Sequence, residues 1–223
     1  MIKRFIILLA ILGICIACSK KTAIECDELQ EAISQVWLDA DVAHEMLEKI
    51  DISTINYYEQ QRYRLAEAHL MLKRELRLPS GSDMDALAKY FESCEDEASV
   101  AEAYYIQGAY LNWIGKNTQA MQYLKKAESN SATAIIRGMT YYKMGRISES
   151  EQLYDIALEN YQKALPYLEE AGLPLYLASV YRELGRNTNN ESRNQYFDKA
   201  LTAARFMGDS ILQMDIRYAQ LSA

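Results

Sequence analysis

The stretch GAYLNWIGKNTQAMQYLKKA (Gly108–Ala127) decides the fold, because its spacing returns in GRISESEQLYDIALENYQKA (Gly145–Ala164). Gly108, Ala120, Leu124 and Ala127 recur as Gly145, Ala157, Tyr161 and Ala164, at offsets of twelve, sixteen and nineteen residues from each glycine. Two small residues one helix and one turn apart let two antiparallel helices approach closely, and the third leaves room for the next pair. Such hairpins cannot bury an apolar face singly and gain a core by stacking. The spacing predicts an all-α chain, an α-solenoid of stacked antiparallel helix hairpins.

Outward from that stretch, apolar residues keep helical spacing nearly everywhere beyond Ile24, and among only nine glycines and three prolines those at 79, 81, 115, 172, 174 and 208 fall where helices need breaks. Eleven helices are expected. Two N-terminal pairs run over 24–37 and 41–50, then 54–78 and 82–91, and neither carries the small-residue signature clearly. The third pair covers 98–114 and 117–128, the fourth 132–150 and 154–171, and the fifth 173–185 and about 190–207. A lone helix over 210–221 ends the chain. Pro79-Ser80-Gly81-Ser82, Gly115-Lys116-Asn117, Gly172-Leu173-Pro174 and Gly208-Asp209-Ser210 mark turns, with Ser82 or Asp83 as a cap.

The first residues read as a secretion signal. Lys3 and Arg4 precede an apolar run from Phe5 to Ile16, which is too short for a spanning helix of roughly 20 residues. Cys15-Ile16-Ala17-Cys18 resembles a bacterial lipobox, with Cys15 where leucine is usual. That resemblance implies cleavage after Ala17, a diacylated Cys18 and membrane attachment through its lipid, in the cell envelope of a Gram-negative bacterium. The expected parts are a signal peptide over 1–17, a tether over 18–23, N-terminal hairpins over 24–95, repeats over 96–208 and a capping helix over 209–223. The formal net charge is −7 and becomes −9 once Lys3 and Arg4 are removed. An acidic chain without clustered Lys and Arg is a poor nucleic-acid binder. Cys26 and Cys94 read either as a bridge, which an oxidising compartment permits, or as two free thiols.

The third and fourth pairs resemble the tetratricopeptide repeat. Tyr104, Gly108, Leu111, Gly115, Ala120, Leu124 and Ala127 fall on its signature positions in one, and Tyr141, Met144, Gly145, Ala157, Tyr161 and Ala164 in the other. Ser148 and Gln152 depart from it, where a large residue and a glycine are usual. The fifth pair keeps Tyr181, Leu184, Gly185, Phe197 and Ala200, but its glycine-to-alanine spacing is fifteen, about one helical turn short. The whole layout resembles a group of repeat-bearing lipoproteins of the Bacteroidetes, through the signal, the segment from Ala43 to Asp51, the stretch from Leu78 to Tyr90 and Ala103-Tyr104-Tyr105.

In proteins of this repeat type the first helix of each hairpin lines the concave groove. The resemblance therefore implies a partner-binding surface of Tyr105, Asn112 and Trp113 from the third pair, Tyr142, Arg146 and Glu149 from the fourth, and Arg182 and Arg186 from the fifth. Aromatic and arginine side chains anchor recognition surfaces, and arginines suit an acidic or carboxylate-ended peptide. The expected function is a non-catalytic, membrane-anchored scaffold that binds a protein or peptide. An outer-membrane protein assembly lipoprotein and a glycan-binding uptake lipoprotein are the alternatives. No catalytic residue, metal site or cofactor is assigned: His44 and His69 lie within helices without partner signatures, and Asp83 and Asp85 lack the later ligands of a calcium loop. The last helix carries Ile211, Leu212, Met214, Ile216, Tyr218 and Leu221, many for a solvated cap, which suggests packing over the fifth pair or self-association.

Overall fold

The computed structural model describes residues 26–74, 81–130, 133–189 and 191–222, without the side chains of 81–83. The signal segment, Cys18, the tether, the end of the helix expected to reach Leu78, and the side chains of the proposed Ser82 and Asp83 cap lie outside what is described; the backbone of Ser82 and Asp83 is already helical, in a helix whose first residue is Gly81. Among the described residues there are eleven helices and no strand. They are α1 (Asp27–Leu38), α2 (Ala40–Glu48), α3 (Tyr57–Lys73), α4 (Gly81–Ser93), α5 (Glu97–Trp113), α6 (Asn117–Asn130), α7 (Ala134–Ser150), α8 (Tyr154–Ala171), α9 (Pro174–Asn187), α10 (Ser192–Phe206) and α11 (Ser210–Ser222). No helix among them is long and apolar enough to cross a membrane. Two compact units divide the chain, one ending at Ser99 and the other beginning at Val100.

The N-terminal unit is held at its helix ends by polar side chains. Asp39 alone links α1 to α2: its backbone N–H closes α1 on the Gln35 carbonyl, while its carboxylate accepts from the N–H groups of Asp41 and Val42 at 3.0 and 3.1 Å. The start of α3 is a capping box, Asn56 accepting from Glu59 N–H at 3.0 Å and the Glu59 carboxylate accepting from Asn56 N–H at 3.1 Å. This box places the start of α3 at Tyr57 rather than at Thr54. The other oxygen of the buried Glu59 accepts from the N–H of Cys26, at the start of α1, at 2.6 Å. At the opposite end of α3, Lys73 Nζ donates to the Val36 and Trp37 carbonyls that close α1, at 2.6 and 3.3 Å. One helix thus puts an anion at the positive end of its neighbour and a cation at the negative end, as the helix dipole favours. Leu29, Val36, Leu47, Tyr63 and Leu70 form the core between them. Cys26 and Cys94 are free thiols.

The second unit is built on close approach. A Cβ on Gly145 of α7 would stand 2.5 Å from Cε1 of Tyr161 of α8, so only a hydrogen fits there. Gly108 of α5 meets Leu124 of α6 in the same way, and Gly185 of α9 meets Phe197 of α10. In the fifth pair the large residue follows its glycine by twelve positions instead of sixteen. The missing turn comes out of the ends facing the loop: α7 runs five residues past Gly145, but α9 runs only two past Gly185. Removing about one turn keeps Phe197 on the same face as its equivalents.

Turns of one kind close several of these helices. The second residue past the helix is left-handed at Gly115 (φ +79°), Gln152 (φ +62°) and Gly208 (φ +70°). The next N–H in each reaches back five residues, Lys116 to Leu111, Leu153 to Ser148 and Asp209 to Ala204. Gln152 stands where the preceding repeat has glycine and adopts the conformation that glycine prefers. At the repeat boundary Gly172 is also left-handed, and Pro174 begins α9 where a missing N–H costs nothing.

Candidate protein-binding face

The first helices of the three hairpins, α5, α7 and α9, carry the aromatic and basic residues singled out above. Tyr105 and Tyr142 are buried; Asn112, Glu149 and Arg182 are partly buried; Trp113, Arg146 and Arg186 are exposed. Burial pushes the Tyr105 hydroxyl well above the usual phenol range, and the nearby Tyr176 and Tyr142 push the same way, so rings from all three helices are neighbours. Asn112 is occupied at the α5–α6 turn, donating to Asn117 Oδ1 at 3.0 Å, and Trp113 lies 5.9 Å from the ring of Tyr110. Among the described residues neither Asn112 nor Trp113 shares a hydrogen bond or ring contact with the arginines.

The three arginines differ in what they already hold. Glu183 of α9 is fully buried and accepts from Arg182 at 2.7 and 3.2 Å and from Arg186 at 3.2 Å. Arg186 also stands 3.6 Å from Glu149, whose carboxylate accepts from the Tyr161 hydroxyl at 2.8 Å. Arg182, Arg186 and Glu149 therefore form one network with Glu183 and Tyr161 that ties α7 and α8 to α9. Arg146 is different. It donates to the Tyr142 hydroxyl at 3.4 Å and has no carboxylate within ion-pair distance among the described residues. Beside it is Lys143, whose ammonium is held below its usual range first by burial and then by Arg146. Lys143, Arg146, Arg182 and Arg186 face Glu149 and Glu183, with Glu102 of α5 beside Tyr105, in a chain of net charge −7.

Lys143, Tyr176 and Glu183 were not singled out from the sequence. Lys143 and Tyr176 sit at helical spacing from Arg146 and Val180 and look like ordinary members of a face. Glu183 reads as a solvated charge beside Arg182, and only the structure shows it at 0 % exposure. A second missed set does recur. Lys126, Lys163 and Lys199 each directly precede a signature alanine, and each ammonium lies over a signature tyrosine: Tyr104 at 5.0 Å, Tyr141 at 5.9 Å and Tyr181 at 5.2 Å. Tyr141 and Tyr181 in turn donate to Glu128 and Glu169, near the end of the preceding hairpin. The Lys-Ala dipeptide repeating in register was the available signal. The lysine contacts lie within a hairpin, and the tyrosine–glutamate bonds join one hairpin to the next.

No protein-family model matches the chain. Over 113 residues it is 30% identical to a photosystem I assembly protein, Ycf3, of Prochlorococcus marinus strain MIT 9312, covering 48% of this chain and 64% of that protein. A second protein of the same name, from strain MIT 9301, is 29% identical over 123 residues, covering 52% of this chain and 69% of its own length. The chain thus spans less than two thirds of the first relative's length. The distant similarity and the all-helical hairpin fold fit a tetratricopeptide-repeat protein, and they support a helical-repeat scaffold for protein interaction.

Proposed function

We propose that this chain is a non-catalytic scaffold of the bacterial cell envelope, anchored through a lipid on Cys18, that holds an acidic segment of a partner polypeptide against α5, α7 and α9. The carrying observation is the pair Lys143 and Arg146, adjacent on α7 and without an ion-paired carboxylate among the described residues, with Arg146 donating to the Tyr142 hydroxyl. A carboxylate reaching Arg146 completes a charge-assisted pair that the fold leaves unmade. The relatives' names speak of assembly, which suits a chain that works by holding other polypeptides. Anchoring would raise the partner's local concentration near the membrane.

Crosslinking in intact cells, followed by affinity capture, tests the face. Arg146→Glu with Lys143→Glu should lose a partner that wild type captures, while Arg186→Gln should mainly lower stability. Equal capture by the charge-reversed protein removes the face from consideration. Cys18→Ala should release the protein from membranes; a wild-type protein found wholly in the soluble fraction removes the anchor.

A specific observation favours self-association as well. Ile211, Met214, Tyr218 and Leu221 stand 71–88 % exposed in one stripe on α11, while Leu212, Ile216 and Ala219 pack inward. Tyr218 follows Tyr181 at the distance by which Tyr141 follows Tyr104, so the stripe occupies the side that a second helix covers in the complete hairpins. Its 3-4-3 spacing is symmetric and matches itself in antiparallel pairing. With Phe206, 83 % exposed, the stripe offers roughly 700 Å² at about 150 Å² per large side chain, near the ~800 Å² that each side of a specific interface buries. Light scattering across a concentration series should show a dimer that Tyr218→Glu abolishes; a monomer at all concentrations rejects it.

A further inference from the structure

The N-terminal unit contains a cleft of about 410 Å³ between α3 and α4, remote in sequence from the basic face and independent of it. Tyr57, Gln61, Arg64, Ala68 and Met71 line it from α3, at alternating steps of four and three residues, which puts them on one side of the helix. From Tyr57 to Met71 this side is about 21 Å long at 1.5 Å per residue. One end is aromatic, with Tyr57 and Tyr90 meeting edge to face at 5.4 Å. The other end has Met71 and Met84, whose unbranched thioethers adapt to varied apolar shapes.

Between these ends the polar groups are unfinished. Gln61 is 4 % exposed, and its Nε2 has no partner among the described residues. Arg64 Nη1 donates to Gln61 Oε1 at 3.4 Å, which leaves Nε2 as the amide's unpaired atom in the wall of the cleft. Glu67, nearly two turns along α3, also lines the cleft; its carboxylate is pushed up by burial and receives no hydrogen bond among the described residues. The cleft wall therefore carries a buried donor without a partner and a partly buried carboxylate that feels Arg64 and His44 but accepts no hydrogen bond among the described residues, about 9 Å apart along the helix.

We propose that this cleft binds an extended, uncharged polypeptide segment of about six residues at ~3.4 Å per residue, with one of its carbonyls on Gln61, one of its N–H groups on Glu67, and apolar side chains at the two ends. An acyl chain offers nothing to donate to Glu67, and an organic cation meets Arg64 midway. A polypeptide backbone carries both the acceptor and the donor, at a spacing that its residues can match.

The test uses the full chain and a set of fluorescein-capped hexapeptide amides with Phe, Leu or Met at the first and fifth positions and Ala elsewhere, read by fluorescence anisotropy. Saturable binding is expected, weakened at least tenfold by Gln61→Leu, which keeps volume and removes the donor. Ala86→Trp, at an exposed position on the cleft wall, should abolish it with the helical circular dichroism and melting temperature unchanged. Arg146→Glu should leave it untouched, which separates this site from the basic face. Absence of saturable binding by every peptide, equal affinity in Gln61→Leu, or displacement by dodecanoate with no effect of Ala86→Trp would each overturn the proposal.

Discussion

The N-terminal unit and the repeat unit join their helices by different physics. In the repeat unit a glycine on one helix admits a large side chain from the next, Gly145 against Tyr161 and Gly185 against Phe197, and backbone approaches ring. In the N-terminal unit the helices are tied at their ends, Glu59 to the start of α1 and Lys73 to its finish. A close approach must recur at fixed intervals if the hairpins are to stack. End ties need only reach one donor or acceptor and carry no period. The first kind of packing is strongly intolerant of added volume, and the second of lost polar atoms.

The largest contrast between the units should appear in alkali. Burial, with carboxylate partners at some sites, pushes Tyr141 and Tyr176 up to about 12, holds Tyr161 and Tyr181 higher still and raises Tyr105 well above the usual phenol range, all in the repeat unit. In the N-terminal unit Tyr58 is pushed up to about 12, and Tyr63 is raised. A phenol raised by folding contributes its stability in full below the unfolded value near 10 and loses it as pH climbs toward the folded value. A buried phenol such as Tyr161 then costs about 1.4 kcal/mol for each pH unit in that window. Melting temperatures should hold to about pH 10 and fall steeply beyond it, with phenolate absorbance rising cooperatively at unfolding. Gradual, non-cooperative ionisation from pH 10 would show that the tyrosines are not buried as described.

Among substitutions, Gly145→Ala should do most harm. The new Cβ meets a ring that is 0 % exposed and packed on every side, so helices α7 and α8 must separate, at a cost of about 3 kcal/mol. Gly108→Ala meets Leu124, whose branched end rotates more readily than a ring, and should cost less. Urea denaturation of both variants measures the order; equal losses would mean that the ring is not what sets the distance.

How much of this was visible in the sequence follows from the same contrast. The Gly-to-Tyr spacing announced α8 at both ends and α7 at its C-terminal end, with α7 beginning at Ala134 and not at 132, because each periodic position answers to a packing contact. The shortened fifth pair was visible as a spacing of fifteen, although which ends lost the turn was not. In the N-terminal unit the helices were legible, but the capping box at Asn56 and Glu59 and the reach of Lys73 back to α1 were not recognised. At the candidate face, the arginines were legible as a type and not as individuals. Glu183 hydrogen-bonds two of them and acts on Arg146 only at longer range, a distinction that depends on side-chain reach across helices.

Lys73→Met tests the end ties. It keeps the aliphatic stem against α1 and removes the donor to the Val36 and Trp37 carbonyls. A loss of about 1.5 kcal/mol is expected, since a charged hydrogen bond is offset in part by the burial of the ammonium. Hydrogen exchange should quicken in α1 and leave α7 and α8 unaffected. Uniform quickening throughout the chain would mean that the two units unfold together and that the contrast between them is one of geometry alone.

The smallest effect is also the one with opposite signs. Gln152 holds φ +62° at the turn where Gly115 holds φ +79°, in hairpins otherwise alike. A side chain in the left-handed region strains the backbone, while glycine there is unstrained but costs more entropy to order. Gln152→Gly should therefore gain about 0.5–1 kcal/mol and Gly115→Gln lose a similar amount. A Cβ at Gly115 meets nothing within 4 Å, so that loss comes from the backbone and not from crowding. The double exchange should return close to wild-type stability, because the turns share no partner. If Gln152→Gly destabilises instead, the glutamine side chain contributes a contact that outweighs its strained backbone, and the departure from the repeat pattern at this position is a stabilising one.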